Sequence, residues 1–277
     1  MESENGLIKW LELLHHTGIA IVKNAPIEEK SGFAVLNRIS HTRETFFKTP
    51  FEVIDIPSPN NSAYTAAALR NHIDLPYYEI APGYQFLHCL INNATGGESV
   101  ALDGFRVASY MKENFTEYFK ILLDTHVKFV NRDYTANTIR VMHKPIFTLD
   151  HNNDFNDIRF SVAYMGIMDC SPEVMDSFYE AYRKLLSLLH DPMFEINFRL
   201  EAGDIFSFNN RRVLHGRKEY DANSGNRHLQ GYYIDRDEIV GRLNYLNRIK
   251  TETLLAYGVY QIEAGGLNLF EYINCLL

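Results

Sequence analysis

The sequence predicts a mainly β fold with flanking helices, arranged as a double-sheet jelly roll. Three observations lead there. Many short apolar runs are bounded by turn-forming Gly, Asn, Asp and Pro. A few amphipathic stretches at helical spacing lie among them. The two kinds do not alternate regularly, as a doubly wound parallel sheet requires.

In chain order, residues 7–14 carry Leu7, Ile8, Leu11 and Leu14 at helical spacing, and residues 18–22 read as a buried strand. Residues 28–47 read as a second helix. A strand is expected over 84–90, a turn over 92–97, where Gly96 and Gly97 supply permissive backbone, and a returning strand over 99–103. Residues 105–123 read as helix in two pieces, and 126–130, 140–143 and 160–164 as strands. A long amphipathic helix is expected over 172–189. Strands at 194–200, 205–208 and 228–234 complete the β part. No repeat, low-complexity tract or linker interrupts the chain, so residues 1–277 are expected to form one domain. Its end, residues 253–277, is an atypical apolar extension that something must cover. A packing helix is the plain expectation; a subunit contact in a homodimer, or closure over the active site, are its rivals.

Composition narrows the partners. With 46% hydrophobic and 22% charged residues the chain can bury a sizeable core, and its net charge of −8 is interspersed, which argues against a nucleic-acid partner. Cys89, Cys170 and Cys275 are widely spaced with no CxxC, the pattern of reduced thiols in a cytoplasmic protein. The start lacks the basic and apolar regions of a signal peptide, and no apolar run approaches the ~18–20 residues that span a bilayer. A small-molecule substrate, without nucleic acid or membrane, is the expectation.

The chemistry is carried by His72-Ile73-Asp74, followed much later by His215 and then Arg227. Two imidazoles and one carboxylate are the facial ligand set that holds iron(II) and leaves other coordination positions open. Residues 72 and 74 share one face of an extended strand, because alternate side chains point the same way. His215 lies in Leu214-His215-Gly216-Arg217, after the aromatic run Ile205-Phe206-Ser207-Phe208. Arg227 keeps its charge and can grip a carboxylate with two parallel hydrogen bonds. His-x-Asp alone is a weak signal; the full order is much harder to reach by chance. Among the 11 histidines, His15 and His16 read as helix-end residues and His88 as a core residue. His228 is a candidate support for Arg227, while Arg217 reads as a surface or salt-bridging residue.

These motifs, with Asn61-Ser62-Ala63-Tyr64, residues 82–89, Thr95-Gly96-Gly97-Glu98-Ser99 and Arg227-His228-Leu229-Gln230-Gly231, resemble the iron(II)/2-oxoglutarate dioxygenases of the TauD type. Within them, the hydroxylase branch that acts on γ-butyrobetaine and trimethyllysine is the most similar. The resemblance implies a distorted double-stranded β-helix, with Fe(II) held by His72, Asp74 and His215. It implies 2-oxoglutarate and O2 as co-substrates, with Arg227 on the distal carboxylate and Ser99 nearby. It also implies aromatic rings around a quaternary ammonium, an arrangement whose attraction reaches ~2 kcal/mol when desolvated. By position these are Phe47, Phe51, Tyr64 and Tyr233, with Asn61 and Asn152 as polar contacts. Phe47 and Phe51 stand where γ-butyrobetaine hydroxylase has tyrosine and tryptophan, and phenylalanine is the weaker cation-π partner.

Hydroxylation of a small cationic acid, with release of succinate and CO2, is therefore the first expectation. The same oxidant could instead desaturate, cyclise or epoxidise an amino-acid-like or natural-product substrate. A silent binding protein is the rival of a different class, and it has no need for all four of His72, Asp74, His215 and Arg227.

Overall fold

Ser3 accepts a hydrogen bond from the Gly6 amide and starts α1 (Glu4–Thr17), which ends where Gly18 turns left-handed at φ 81°. The computed structural model describes residues 3–54, 65–168 and 170–256, with side chains as far as residue 251. After α1 come β1 (Ile19–Val22), a short α2 (Gly32–Leu36), β2 (Phe51–Ile54) and β3 (Leu69–His72). Next are β4 (Tyr84–Asn92), β5 (Thr95–Gly96), β6 (Ser99–Asp103), α3 (Gly104–Asn114) and α4 (Thr116–Asp124). Strands β7 (Val127–Asp133), β8 (Thr138–Lys144), β9 (Phe147–Leu149) and β10 (Phe155–Ile158) lead to a 3-10 turn at Val162–Tyr164 and to α5 (Pro172–Leu189). The chain closes with β11 (Glu195–Phe198), β12 (Ile205–Asn209), β13 (Val213–Arg217), β14 (Tyr220–Asp221), β15 (Arg227–Ile234) and α6 (Arg236–Ala256).

Two antiparallel sheets carry the architecture. One has the order β1-β12-β4-β15-β2, the other β11-β6-β13-β3. Cys89, Phe206, Phe208 and Leu229 of the first pack against Ala101 and Val213 of the second, so the two inner faces share a core, as in a jelly roll. The outer face of the five-stranded sheet is covered by α1 and α6: Trp10, Leu11 and Leu14 pack with Tyr84, Phe86 and Tyr232, and with Ile239 and Leu243 of α6. Trp10 meets the Phe86 ring edge-on at 5.7 Å and donates its indole N–H to Ser207. The outer face of the four-stranded sheet is covered by α3, α4 and α5, where Leu102 and Leu214 join Val107, Leu122, Phe178 and Leu185.

Sequence and structure part company at three places that matter. The helix expected over residues 28–47 is only α2. Beyond it the Arg43 amide bonds to the Tyr233 carbonyl and its guanidinium pairs with Asp235 at 2.7 Å, so tertiary partners replace helical ones. The strand expected over 160–164 is instead the 3-10 turn, anchored by the Phe160 carbonyl, which accepts from the Ile73 amide. Finally β3 ends at His72, so Asp74 lies just past the strand and not on it. Residues 257–277, most of the apolar extension, lie outside the described residues, as do Asn61, Tyr64 and Cys275. Among the described residues no helix is long and apolar enough to cross a membrane.

Candidate active site

Strand register brings the two imidazoles together. β13 runs antiparallel to both β3 and β6, with His215 opposite His72 on one side and Ala101 on the other. The His72 and His215 rings lie 4.4 Å apart, and Phe208 stands 4.6 Å from His215 across the sandwich. The backbone carbonyl of Arg70 holds His72 Nδ1 at 2.8 Å, leaving Nε2 to face inward.

Asp74 is placed by a clasp that the sequence alone did not disclose. Buried Asn210, in the turn between β12 and β13, accepts from the Asp74 amide and donates to the Asp74 and Pro82 carbonyls. The next residue, Leu75, takes a left-handed φ of 56°, so the chain turns sharply once the carboxylate has been delivered. The carboxylate is then divided. Tyr233 donates its hydroxyl to Oδ2 at 2.6 Å, while Oδ1 sits 3.2 Å from His72 Nε2 and 3.8 Å from His215 Nε2.

Three donor atoms, one from each residue, lie within 4.8 Å of one another, and they form the group among the described residues that could hold a metal ion. The electrostatics suit a divalent cation. Burial alone would raise the Asp74 carboxyl, but the His72 hydrogen bond and the neighbouring His215 and Tyr233 hold it well below the usual carboxylate range. Burial and the adjacent His72 push His215 down to about 3, so its imidazole is neutral at pH 7 with a lone pair to give. One carboxylate oxygen and two imidazole nitrogens converging, with the second oxygen tied to a phenol, fit a six-coordinate cation held on one face.

β15 supplies the rest by its two-residue period. Arg227, Leu229, Gly231 and Tyr233 face inward, while His228, Gln230 and Tyr232 face outward. Gly231 is needed because a Cβ there would fall within the Phe51 ring, which stacks on Tyr233 at 5.0 Å. Arg227 reaches a small cavity of about 70 Å³ lined also by Ser99, Gln85, His215 and Arg217. Its guanidinium Nε is buried without a hydrogen-bond partner, and burial with the nearby Arg217 pushes its pKa down to about 10, leaving it cationic at pH 7. An orphaned buried donor on a cation is what an anionic ligand satisfies.

A larger cavity of about 330 Å³ shares His72, Asp74, Phe51, Val53 and Leu69 with the first. Phe47, Phe51 and Tyr233 line it. So do Tyr77 and Tyr164, a T-shaped pair with centroids 4.7 Å apart, together with Ser161, Arg70 and Glu52. None of these last five was singled out from the sequence. Tyr77 and Tyr164 sit in irregular backbone with no period to read, although an aromatic three residues past a ligand was a usable signal. Asn152 lies elsewhere: it is exposed in the turn before β10, its amide bonded to Asp150, and it lines neither cavity. Arg217 is buried and donates to the Thr65 and Ala67 carbonyls, a clasp on the segment entering β3 and not a surface contact. His228 points away from Arg227 and meets Glu52 at 2.6 Å.

Fold and site together define a double-stranded β-helix with a two-histidine, one-carboxylate centre open towards an aromatic cavity. Residues 2–233 match the family described as taurine catabolism dioxygenase TauD, TfdA, and the chain belongs to that family. Among its relatives, the γ-butyrobetaine dioxygenase of Pseudomonas sp. (strain AK-1) is 36% identical over 90% of this chain and 64% of its own length. The γ-butyrobetaine dioxygenase of Homo sapiens is 34% identical over 87% of this chain and 63% of its own. A trimethyllysine dioxygenase of Meyerozyma guilliermondii is 28% identical, with 89% and 62% covered. The chain thus spans somewhat under two thirds of these relatives. Among solved structures, an asparagine oxygenase in complex with Fe(II), 3-hydroxyasparagine and succinate matches with a TM-score of 0.65 at 16% identity, covering 83% of this chain and 79% of that one. The non-heme iron oxygenase OrfP with Fe and α-ketoglutaric acid gives 0.63 at 13%, covering 84% and 80%. At that identity the likeness is one of fold.

Proposed function

We propose that this chain is an Fe(II)- and 2-oxoglutarate-dependent dioxygenase that hydroxylates an unactivated C–H bond of a small cationic acid carrying a quaternary ammonium, with release of succinate and CO2. The observation that carries this reading is the divided Asp74 carboxylate. One oxygen meets two imidazoles and the other a phenol, on the wall shared by the Arg227 cavity and the aromatic cavity. The similarity to γ-butyrobetaine dioxygenases supports the substrate class.

His72, Asp74 and His215 would hold the iron, which when bound supplies the redox chemistry that consumes O2 and 2-oxoglutarate. Arg227 would hold the distal carboxylate of 2-oxoglutarate, with Ser99 beside it; both are on strands facing the sandwich interior, which keeps that end fixed and dry. Phe47, Phe51, Tyr77, Tyr164 and Tyr233 present ring faces and edges to a substrate that enters the larger cavity. A trimethylammonium loses water on entering, and the rings offset that loss. Their packing also excludes solvent from the reacting carbon.

The test is a panel of betaines and N-methylated amino acids, read out by succinate formation and product mass. A gain of one oxygen on a quaternary-ammonium acid is expected. Loss of two hydrogens would show desaturation in place of hydroxylation, and succinate formation confined to neutral substrates would overturn the substrate class.

A further inference from the structure

We propose that Arg70 binds the carboxylate of the substrate and so fixes which carbon faces the metal-binding residues. The inference rests on the functional reading above and names a partner for the acidic end. Of the two asparagines expected as polar contacts, Asn152 is remote from the cavity and Asn61 lies outside the described residues.

Arg70 lies two residues before His72 on β3, where the strand bulges against β13 between Leu69 and His72, and its exposed side chain stands beside the larger cavity. Asn71 between them is buried, donating to the Leu189 carbonyl and the Glu195 carboxylate. β3 is an edge strand, and along it Arg70 is exposed to solvent while His72 is half-buried.

The charges around the cavity single it out. Glu52 is engaged by His228 at 2.6 Å and Gln230 at 3.0 Å, and Asp74 by Tyr233 and the two imidazoles. Arg70 is the one Arg or Lys lining this cavity among the described residues. Other arginines nearby are committed: Arg159 to the Pro76 and Tyr78 carbonyls, Arg211 to Asp157, Arg217 to the Thr65 and Ala67 carbonyls. The Arg70 guanidinium has no ion pair or side-chain hydrogen bond among the described residues, while its carbonyl is fixed on His72 Nδ1. Its base is therefore rigidly placed relative to the ligand set and its head is available. A zwitterion with its cation against the rings and its carboxylate on Arg70 would lie across His72 and Asp74. The carbon next to the acid end would then be the one presented, and two opposite anchors would set that register.

The experiment compares γ-butyrobetaine with its primary amide, identical in shape and lacking the negative charge. Binding is measured by calorimetry on the zinc-loaded protein with 2-oxoglutarate, for wild type, Arg70→Met, Arg70→Lys and Arg70→Glu. Wild type should favour the acid about five- to tenfold at low salt, and that preference should shrink as salt is added. Arg70→Met should bind acid and amide alike, Arg70→Lys should keep part of the preference, and Arg70→Glu should invert it. All four should hold 2-oxoglutarate equally, which separates a lost contact from a lost fold. An acid-to-amide ratio unchanged in Arg70→Met would overturn the assignment while leaving the quaternary-ammonium reading in place. Failure of wild type to bind either probe would overturn both.

Discussion

At the residue scale, the site turns on how Asp74 shares its two oxygens. Tyr233 occupies Oδ2, so Oδ1 alone is directed at the imidazoles. Tyr233→Phe keeps the ring that stacks on Phe51 and removes only that hydrogen bond. It should weaken metal binding about tenfold with little change in melting temperature, as removal of such supporting hydrogen bonds typically does; cobalt(II) titration of the two proteins reads this directly, and equal affinities would show that the phenol does not set the carboxylate. Asn210→Ala removes the partner of a buried backbone amide and two carbonyls, and each buried group left unpaired costs ~1–3 kcal/mol. A lowered melting temperature and weakened metal binding together are expected, since the same clasp serves the fold and the ligand. Cys89 tests burial instead. Its thiol is pushed up to about 11, chiefly by desolvation, so at pH 8 it is almost wholly protonated and inert. Iodoacetamide should leave it unlabelled in the folded protein and label it after denaturation, as peptide mass mapping would reveal.

Elements explain which parts of the site could be read from the sequence. His72, His215, Arg227 and Tyr233 sit on strands, where a two-residue period and a paired register convert sequence position into direction. For Asp74 a shared strand face is an incomplete reason: the strand stops at His72 and the side chain of Asn210 carries the chain the last step. Tyr77, Ser161 and Tyr164 lie in irregular backbone, whose course depends on contacts made by distant segments, such as Arg159 holding the Pro76 and Tyr78 carbonyls. Asn152 failed for the same reason, because a turn between strands has no face to predict. The long helices α1 and α5 and strand β6 were legible from their periodicity, while the segment after α2 was claimed by partners on β15 and in the loop beyond it. The outer helix layer has its own test. Trp10→Ala removes a buried indole that packs on Phe86 and bonds Ser207, which should cost ~3–5 kcal/mol. Denaturant melts would show it as a lower midpoint with little change in metal affinity, because α1 covers the sheet face opposite the site.

For the molecule as a whole, two sheets packed face to face place four widely separated sequence positions around one interior space. The four-stranded sheet gives His72 and His215, the five-stranded sheet gives Arg227, and Asp74 hangs from the turn between β12 and β13 that links them. Helices lie on both outer faces, leaving the inner space for ligands. The most direct test of this arrangement is the visible spectrum of the protein with iron(II) and 2-oxoglutarate in the absence of O2. A weak charge-transfer band saturating at one iron per chain is expected, absent in His72→Ala and requiring far more 2-oxoglutarate in Arg227→Met. An undiminished band in His72→Ala, or equal 2-oxoglutarate requirement in Arg227→Met, would contradict the account.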